Sequence, residues 1–187
     1  MSPARREPDV SAPAIFVIES KSAHETKAWG RRLASLLEGG ELLGLIGDLG
    51  AGKTCFIKGM ARGLALREED ILSPSFTLIQ EHHGRLPLFH IDLYRLDATS
   101  LEDLGLREYL FSAGIAAVEW FERLREAEDL DFLAVRISYA GANARRIELS
   151  ATGERHAALI ARLRSLFEHA RLLGVLHEDR LSSATKS

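Results

Sequence analysis

The segment Gly47-Asp-Leu-Gly-Ala-Gly-Lys-Thr54 constrains this chain more than any other, because it fits the spacing G-x-x-x-x-G-K-[ST]. Glycines at these positions let successive backbone N–H groups turn toward one phosphate chain without a Cβ in the way. In such a loop Lys53 sets an ammonium against the outer phosphates, and the hydroxyl of Thr54 is offered to Mg²⁺. The amides of Asp48, Gly50, Ala51, Gly52, Lys53, Thr54 and Cys55 form the cradle, and the following helix adds the positive end of its dipole. The pattern requires a strand before it and a helix after it. Glu41-Leu-Leu-Gly-Leu-Ile46 is a short apolar run, and Lys53 to Arg62 reads as a helix, so both flanks are present. ATP with Mg²⁺ is the expected ligand.

A phosphate loop of this kind also needs an acidic residue at the end of a neighbouring strand to hold the magnesium shell. Leu88-Phe-His-Ile-Asp92 supplies one, which makes Asp92 the Walker B candidate. Gly114-Ile-Ala-Ala-Val118 reads as a buried strand that delivers Glu119 beside Trp120, a second carboxylate able to bind metal or orient water. Lys53, Asp92 and Glu119 are therefore the candidate catalytic residues, and Thr54, Asp92 and Glu119 the candidate metal set. His90, inside the strand that ends at Asp92, reads as a packed or hydrogen-bonded core histidine. Ser73-Pro-Ser-Phe-Thr77 is hydroxyl-rich and stiffened by Pro74, suited to a loop that a γ-phosphate orders. Cys55 reads as a compact apolar residue, with a redox role as the alternative.

The remaining pattern predicts an α/β fold, a mixed and mostly parallel sheet with helices on both faces and the site at the carboxyl ends of its parallel strands. Ala14 to Ile18 is a strand, and Ser22-x-x-Glu25 opens a helix that Gly39-Gly40 closes. Phe76 to Glu81 and Leu86 to Ile91 form a hairpin about His82-His83-Gly84-Arg85, followed by a helical piece from Ser100 to about Leu110. Phe132 to Tyr139 pairs with Arg146 to Ser150, and an amphipathic helix runs from Glu154 to Leu173. One domain over residues 14–175 is expected, with residues 1–13 a disordered leader and 176–187 a flexible tail.

With 24 basic and 27 acidic residues, no whole-molecule field draws the chain to nucleic acid or an anionic membrane, so any RNA contact is local or indirect. A single cysteine excludes an internal disulfide and a multi-cysteine metal cluster. No apolar run approaches the ~20 residues of a membrane span, and the first residues lack the apolar stretch of a signal peptide, so the expected location is cytoplasmic.

Gly47 to Thr54, Ser73 to Thr77, His90-Ile-Asp-Leu-Tyr-Arg-Leu96, Leu104-Gly-Leu-Arg107 and Val118-Glu-Trp120 resemble, in order and spacing, the successive blocks of the TsaE (YjeE) family. The resemblance implies an ATPase required for bacterial threonylcarbamoyladenosine formation on tRNA, acting with the TsaB and TsaD proteins. It implies Lys53 and Thr54 as phosphate and Mg²⁺ contacts, Asp92 and Glu119 as the acidic metal and water site, and Ser73 to Thr77 as a nucleotide-sensing switch. Trp120 is then a nucleotide contact or a core or interface aromatic. Cys55 departs from the second threonine often seen after Gly-Lys-Thr, and the helix from Glu154 with the tail after it exceeds what the family needs. A small-molecule kinase and a nucleotide-gated module with negligible turnover are the competing readings. A guanine-specific GTPase is disfavoured for want of an Asn-Lys-x-Asp segment.

Overall fold

The computed structural model describes residues 15–74, 78–102 and 104–172. The expected leader and tail, and Ser75 to Thr77 of the expected switch loop, lie outside the described residues.

Among the described residues seven strands form one sheet: β1 (Ile15–Ser20), β2 (Leu42–Ile46), β3 (Ile79–His83), β4 (Pro87–Asp92), β5 (Ile115–Glu119), β6 (Leu133–Tyr139) and β7 (Arg145–Ala151). Their spatial order is β1-β7-β6-β2-β5-β4-β3. The pairs β6/β2, β2/β5 and β5/β4 are parallel, while β1/β7, β7/β6 and β4/β3 are antiparallel. Five of the seven strands consequently run in one direction, which is the mixed, mostly parallel sheet expected. The carboxyl ends of β2, β5 and β4 lie side by side, and each carries one of the motifs.

Among the described residues the α-helices are α1 (Ala23–Ala34), α2 (Lys53–Gly63), α3 (Arg107–Leu110) and α4 (Glu154–Leu172). Ser22 caps α1 by accepting from Glu25 N, while the Glu25 carboxylate accepts from Lys21 N at 2.7 Å, one residue before the position a strict capping box uses. The helix ends at Ala34, short of the expected Gly39-Gly40; those glycines instead turn the chain at positive φ into β2. The expected helix from Ser100 shrinks to the single turn of α3, because Gly105 at φ +61° and a bridge between Thr99 and Leu124 hold the preceding residues in turns.

Alternation along the central strands divides the core in two. Leu43 and Leu45 of β2 and Ile115 and Ala117 of β5 pack under α1, α2 and α4, with Leu33, Phe56, Ile57, Met60 and Leu163 buried among them. Each of these side chains larger than alanine contributes roughly 1.5–3 kcal/mol of transfer free energy. The opposite face holds Leu42, Ala116, Val118, Ile91 and Phe121, covered by Leu93, Leu101, Leu106 and Leu110. The long helices thus share one face, and α3 with irregular segments covers the other. α1 and α2 touch through Gly59, where a Cβ would stand 2.0 Å from Lys27 O, so only glycine permits the approach. That contact fixes α2, and with it the glycine loop before it, against α1.

Candidate functional site

The turn from β2 into α2 carries the glycine motif. Gly47 has φ +146°, and a Cβ there would lie 2.2 Å from Ile137 O, so the loop passes tightly against the end of β6. Phe56 N donates to Gly52 O at 2.9 Å, which starts the helix at Lys53 and leaves the amides of its first turn directed into the cleft. Positive potential from those amides favours an anion there.

The β6–β7 hairpin grips the outer side of the same loop. Tyr139 Oη donates to Leu49 O at 2.9 Å, Arg145 Nε donates to Ala51 O at 2.8 Å, and the Arg145 guanidinium stacks 4.4 Å from the centre of the Tyr139 ring. Sequence reading missed both residues. They flank a hairpin turn, but their relevance depends on β6 lying beside β2, which no local pattern reveals.

Lys53 is only 4% exposed. Its Nζ donates to Gly47 O at 2.6 Å and Asp48 O at 3.0 Å and sits 3.8 Å from the centre of the Trp120 ring. Burial lowers its pKa, opposed by the charges of Glu119, Glu122, Asp92 and Asp48. Trp120 adopts φ +59°, a left-handed conformation costly for a bulky residue, and its ring lies 5.0 Å from that of Tyr94. Arg123 spans both rings and donates to Leu96 O at 2.7 Å. Trp120 is thus a wall of the cleft, held in strain at the end of β5.

The two candidate carboxylates are register partners on adjacent strands. Glu119, on the strand next to β2, is 3% exposed. Its Oε1 accepts from Thr54 Oγ1 at 2.7 Å and lies 2.8 Å from His90 Nε2. Asp92, one strand further out, is 4% exposed. Ser73 Oγ donates to its Oδ2 at 2.7 Å and Tyr94 N to its Oδ1 at 2.9 Å. Of the expected metal set, Thr54 and Glu119 are in direct contact, and Asp92 faces the same cleft while anchoring the first residue of the expected switch loop. His90 is fully buried, as expected of a hydrogen-bonded core histidine.

A cleft of about 500 Å³ joins these groups, lined by Leu49, Gly50 and Gly52 of the loop, Lys53, Thr54 and Cys55 of α2, and Ser73, Asp92, Tyr94, Arg95, Glu119 and Trp120. The volume suits a small molecule of nucleotide size. Asp48 takes part through its carbonyl, and the Ala51 side chain is buried beneath the loop. Cys55 donates to Ala23 O at 3.4 Å and burial raises its pKa, which keeps it a thiol and favours the compact apolar reading. Thr54, Asp92 and Glu119 offer hard oxygens, the donor set Mg²⁺ takes alongside water and phosphate oxygens. Among the described residues no three His, Cys, Asp or Glu side chains gather into a metal site, and no helix is long and apolar enough to cross a membrane.

A glycine loop between a central parallel strand and its helix, with carboxylates at the next two strand ends, defines an α/β fold of the P-loop NTPase type. The family model described as "Threonylcarbamoyl adenosine biosynthesis protein TsaE" matches residues 20–147. The chain is 48% identical over 122 residues to the tRNA threonylcarbamoyladenosine biosynthesis protein TsaE of Treponema pallidum, covering 64% of this chain and 87% of that one. It is 43% identical over 140 residues to the Bacillus subtilis protein of the same name, covering 74% and 87%. The crystal structure of Bacillus subtilis YdiB superposes with a TM-score of 0.69 at 35% identity, covering 83% of this chain and 98% of that one. The chain belongs to the TsaE family.

Proposed function

We propose that this chain is the Mg²⁺-dependent ATPase subunit of tRNA threonylcarbamoyladenosine synthesis, cycling the TsaB–TsaD complex by binding and hydrolysing ATP. The observation that carries the reading is the Thr54–Glu119 hydrogen bond, which ties the phosphate loop to a buried strand-end carboxylate. The loop amides bind the phosphates, and Lys53 exchanges its two carbonyl partners for phosphate oxygens. Thr54, Asp92 and Glu119 would hold Mg²⁺, which supplies charge neutralisation at the outer phosphates. Glu119 orients the attacking water, and Trp120 and Tyr94 close the cleft on that side. Asp92, through Ser73, couples the loop that follows to the state of the site. Contact with tRNA is local or indirect, through the complex.

The test is ATP consumption by the purified chain with no acceptor present, with and without Mg²⁺, and again after adding TsaB and TsaD. Slow Mg²⁺-dependent release of phosphate, altered by the complex, is expected. Consumption only when a small-molecule acceptor is added would make the protein a kinase. Binding with no release in any mixture would make it a nucleotide-gated module.

A further inference from the structure

Glu119 is held from two sides, and only one of them belongs to the phosphate loop. On the other, His90 Nε2 stands 2.8 Å from Glu119 Oε1. A carboxylate only accepts, so the ring N–H at Nε2 is the donor. The second ring nitrogen, Nδ1, is buried without a partner, and so is Gln80 Oε1. Gln80 and His90 are register partners on β3 and β4, and residues directly opposite in an antiparallel pair share one face of the sheet. A third buried atom in the same condition, His82 Nε2, lies two residues further along that face. Unmet polar atoms therefore run from Glu119 toward the β3 edge. Buried groups of this kind are satisfied by ordered water when they are close enough to share it.

We propose that His90 is a positioning residue for Glu119, and that Gln80 holds the His90 ring through one buried water. That water donates one hydrogen to His90 Nδ1 and the other to Gln80 Oε1, both acceptors when Nε2 carries the ring proton. The imidazole is then fixed at both nitrogens, and Nε2–H fixes the carboxylate from the side opposite Thr54. Rotation of the Glu119 side chain would break both contacts at once. β3 thereby supports the site although none of its own side chains lines the cleft. Outer-shell partners of this sort commonly contribute 10- to 100-fold to activity through the group they orient. The proposal rests on the reading of Glu119 as the water-orienting carboxylate.

The test uses the full chain with Mg-ATP. His90→Leu should lower kcat about tenfold or more while changing KM less than about threefold, since the loop amides and Lys53 are untouched. His90→Gln, whose amide nitrogen reaches toward the place of Nε2, should recover most of the loss, and Gln80→Leu should lower kcat by about three- to tenfold. A readout independent of turnover is the ¹⁵N spectrum of the imidazoles in the nucleotide-free protein. It should show His90 protonated at Nε2, with an Nδ1 resonance that moves in Gln80→Leu. If His90→Leu does not fold, the spectrum and the Gln80→Leu kinetics decide. A protonated Nδ1 with bare Nε2, an Nδ1 resonance indifferent to Gln80→Leu, or undiminished kcat in both Leu variants would overturn the proposal. Glu119→Gln, run in parallel, separates the two failures. If it slows hydrolysis while the His90 and Gln80 variants do not, only the positioning proposal falls.

Discussion

Releasing the phosphate loop from the β6–β7 hairpin should weaken ATP binding without altering a phosphate contact. Tyr139 is 52% exposed, so the bond it donates to Leu49 O competes with water and contributes about 0.5–1 kcal/mol. Arg145 Nε to Ala51 O is charge-assisted but partly wet, about 1 kcal/mol, and its stacking on Tyr139 adds about 0.5 kcal/mol. Tyr139→Phe removes the first bond and keeps the ring; Arg145→Met removes the second bond and the stacking, together with the Nη1 bonds to Ala142 O and Ala144 O inside its own turn. Tyr139→Phe leaves in place the ring on which Arg145 stacks, so the coupling between these touching side chains stays within about 0.5 kcal/mol and the double variant loses about 2 kcal/mol of loop ordering. If binding requires the ordered loop, this becomes a rise in Kd of roughly threefold, tenfold and thirtyfold for the two single variants and the double. Calorimetric titration with Mg-ATP measures it, and kcat at saturation should stay within about threefold of the parent. Unchanged affinity in the double variant, or a loss confined to kcat, would refute the assignment of the hairpin as the loop's support.

Lys53→Ala should abolish measurable ATP binding, and titration showing the parent affinity would remove the phosphate-loop assignment. Asp92→Asn should cost far more affinity with Mg²⁺ than without it, because it takes charge from the metal shell and leaves the loop amides intact; equal losses in both conditions would mark Asp92 as structural. Gly47→Ala forces a Cβ to within 2.2 Å of Ile137 O, so its thermal midpoint should fall by at least about 5 °C, and an unchanged midpoint would contradict the close passage of loop and β6. Burial depresses the pKa of His156 below its ordinary 6.5, outweighing the backbone contact with Thr152. As pH falls below that ordinary value the unfolded chain takes the proton first, so stability present above about pH 6.5 is lost as pH drops through the folded value, by at most about 1.4 kcal/mol per pH unit. Thermal melts between about pH 7.5 and about pH 5.5 should fall more steeply for the parent than for His156→Leu, and parallel slopes would contradict this.

What could be read in advance was whatever local chemistry demands. The loop from Gly47 to Thr54 announces itself by the spacing of its glycines ahead of Lys53-Thr54, and Asp92 and Glu119 are visible because each ends an apolar run. The hairpin pairings of β3 with β4 and of β6 with β7 follow from adjacency along the chain. Strand order does not. That β5 separates β4 from β2, bringing Glu119 rather than Asp92 to Thr54, is a property of the assembled sheet. Tyr139 and Arg145 escaped for the same reason, since each bonds to a loop that only the sheet brings near. The shortfall of the helix expected from Ser100 has a local cause, a left-handed Gly105 that interrupts an otherwise helical composition.

Glu119 is the residue on which the proposed cycle of the tRNA-modifying complex turns, as the carboxylate that orients water beside the metal. Glu119→Gln keeps an oxygen that can accept from Thr54 but loses the charge that orients water. It should still bind Mg-ATP and hydrolyse it at least about tenfold more slowly. In a reconstituted mixture it should still associate with TsaB and TsaD, yet fail to support repeated rounds of tRNA threonylcarbamoylation. The decisive measurement is the number of modified tRNA molecules formed per TsaD when this variant is the only source of the subunit. A yield that stalls near one round is the predicted result, and a yield matching the parent from a variant shown not to hydrolyse ATP would contradict the cycling mechanism.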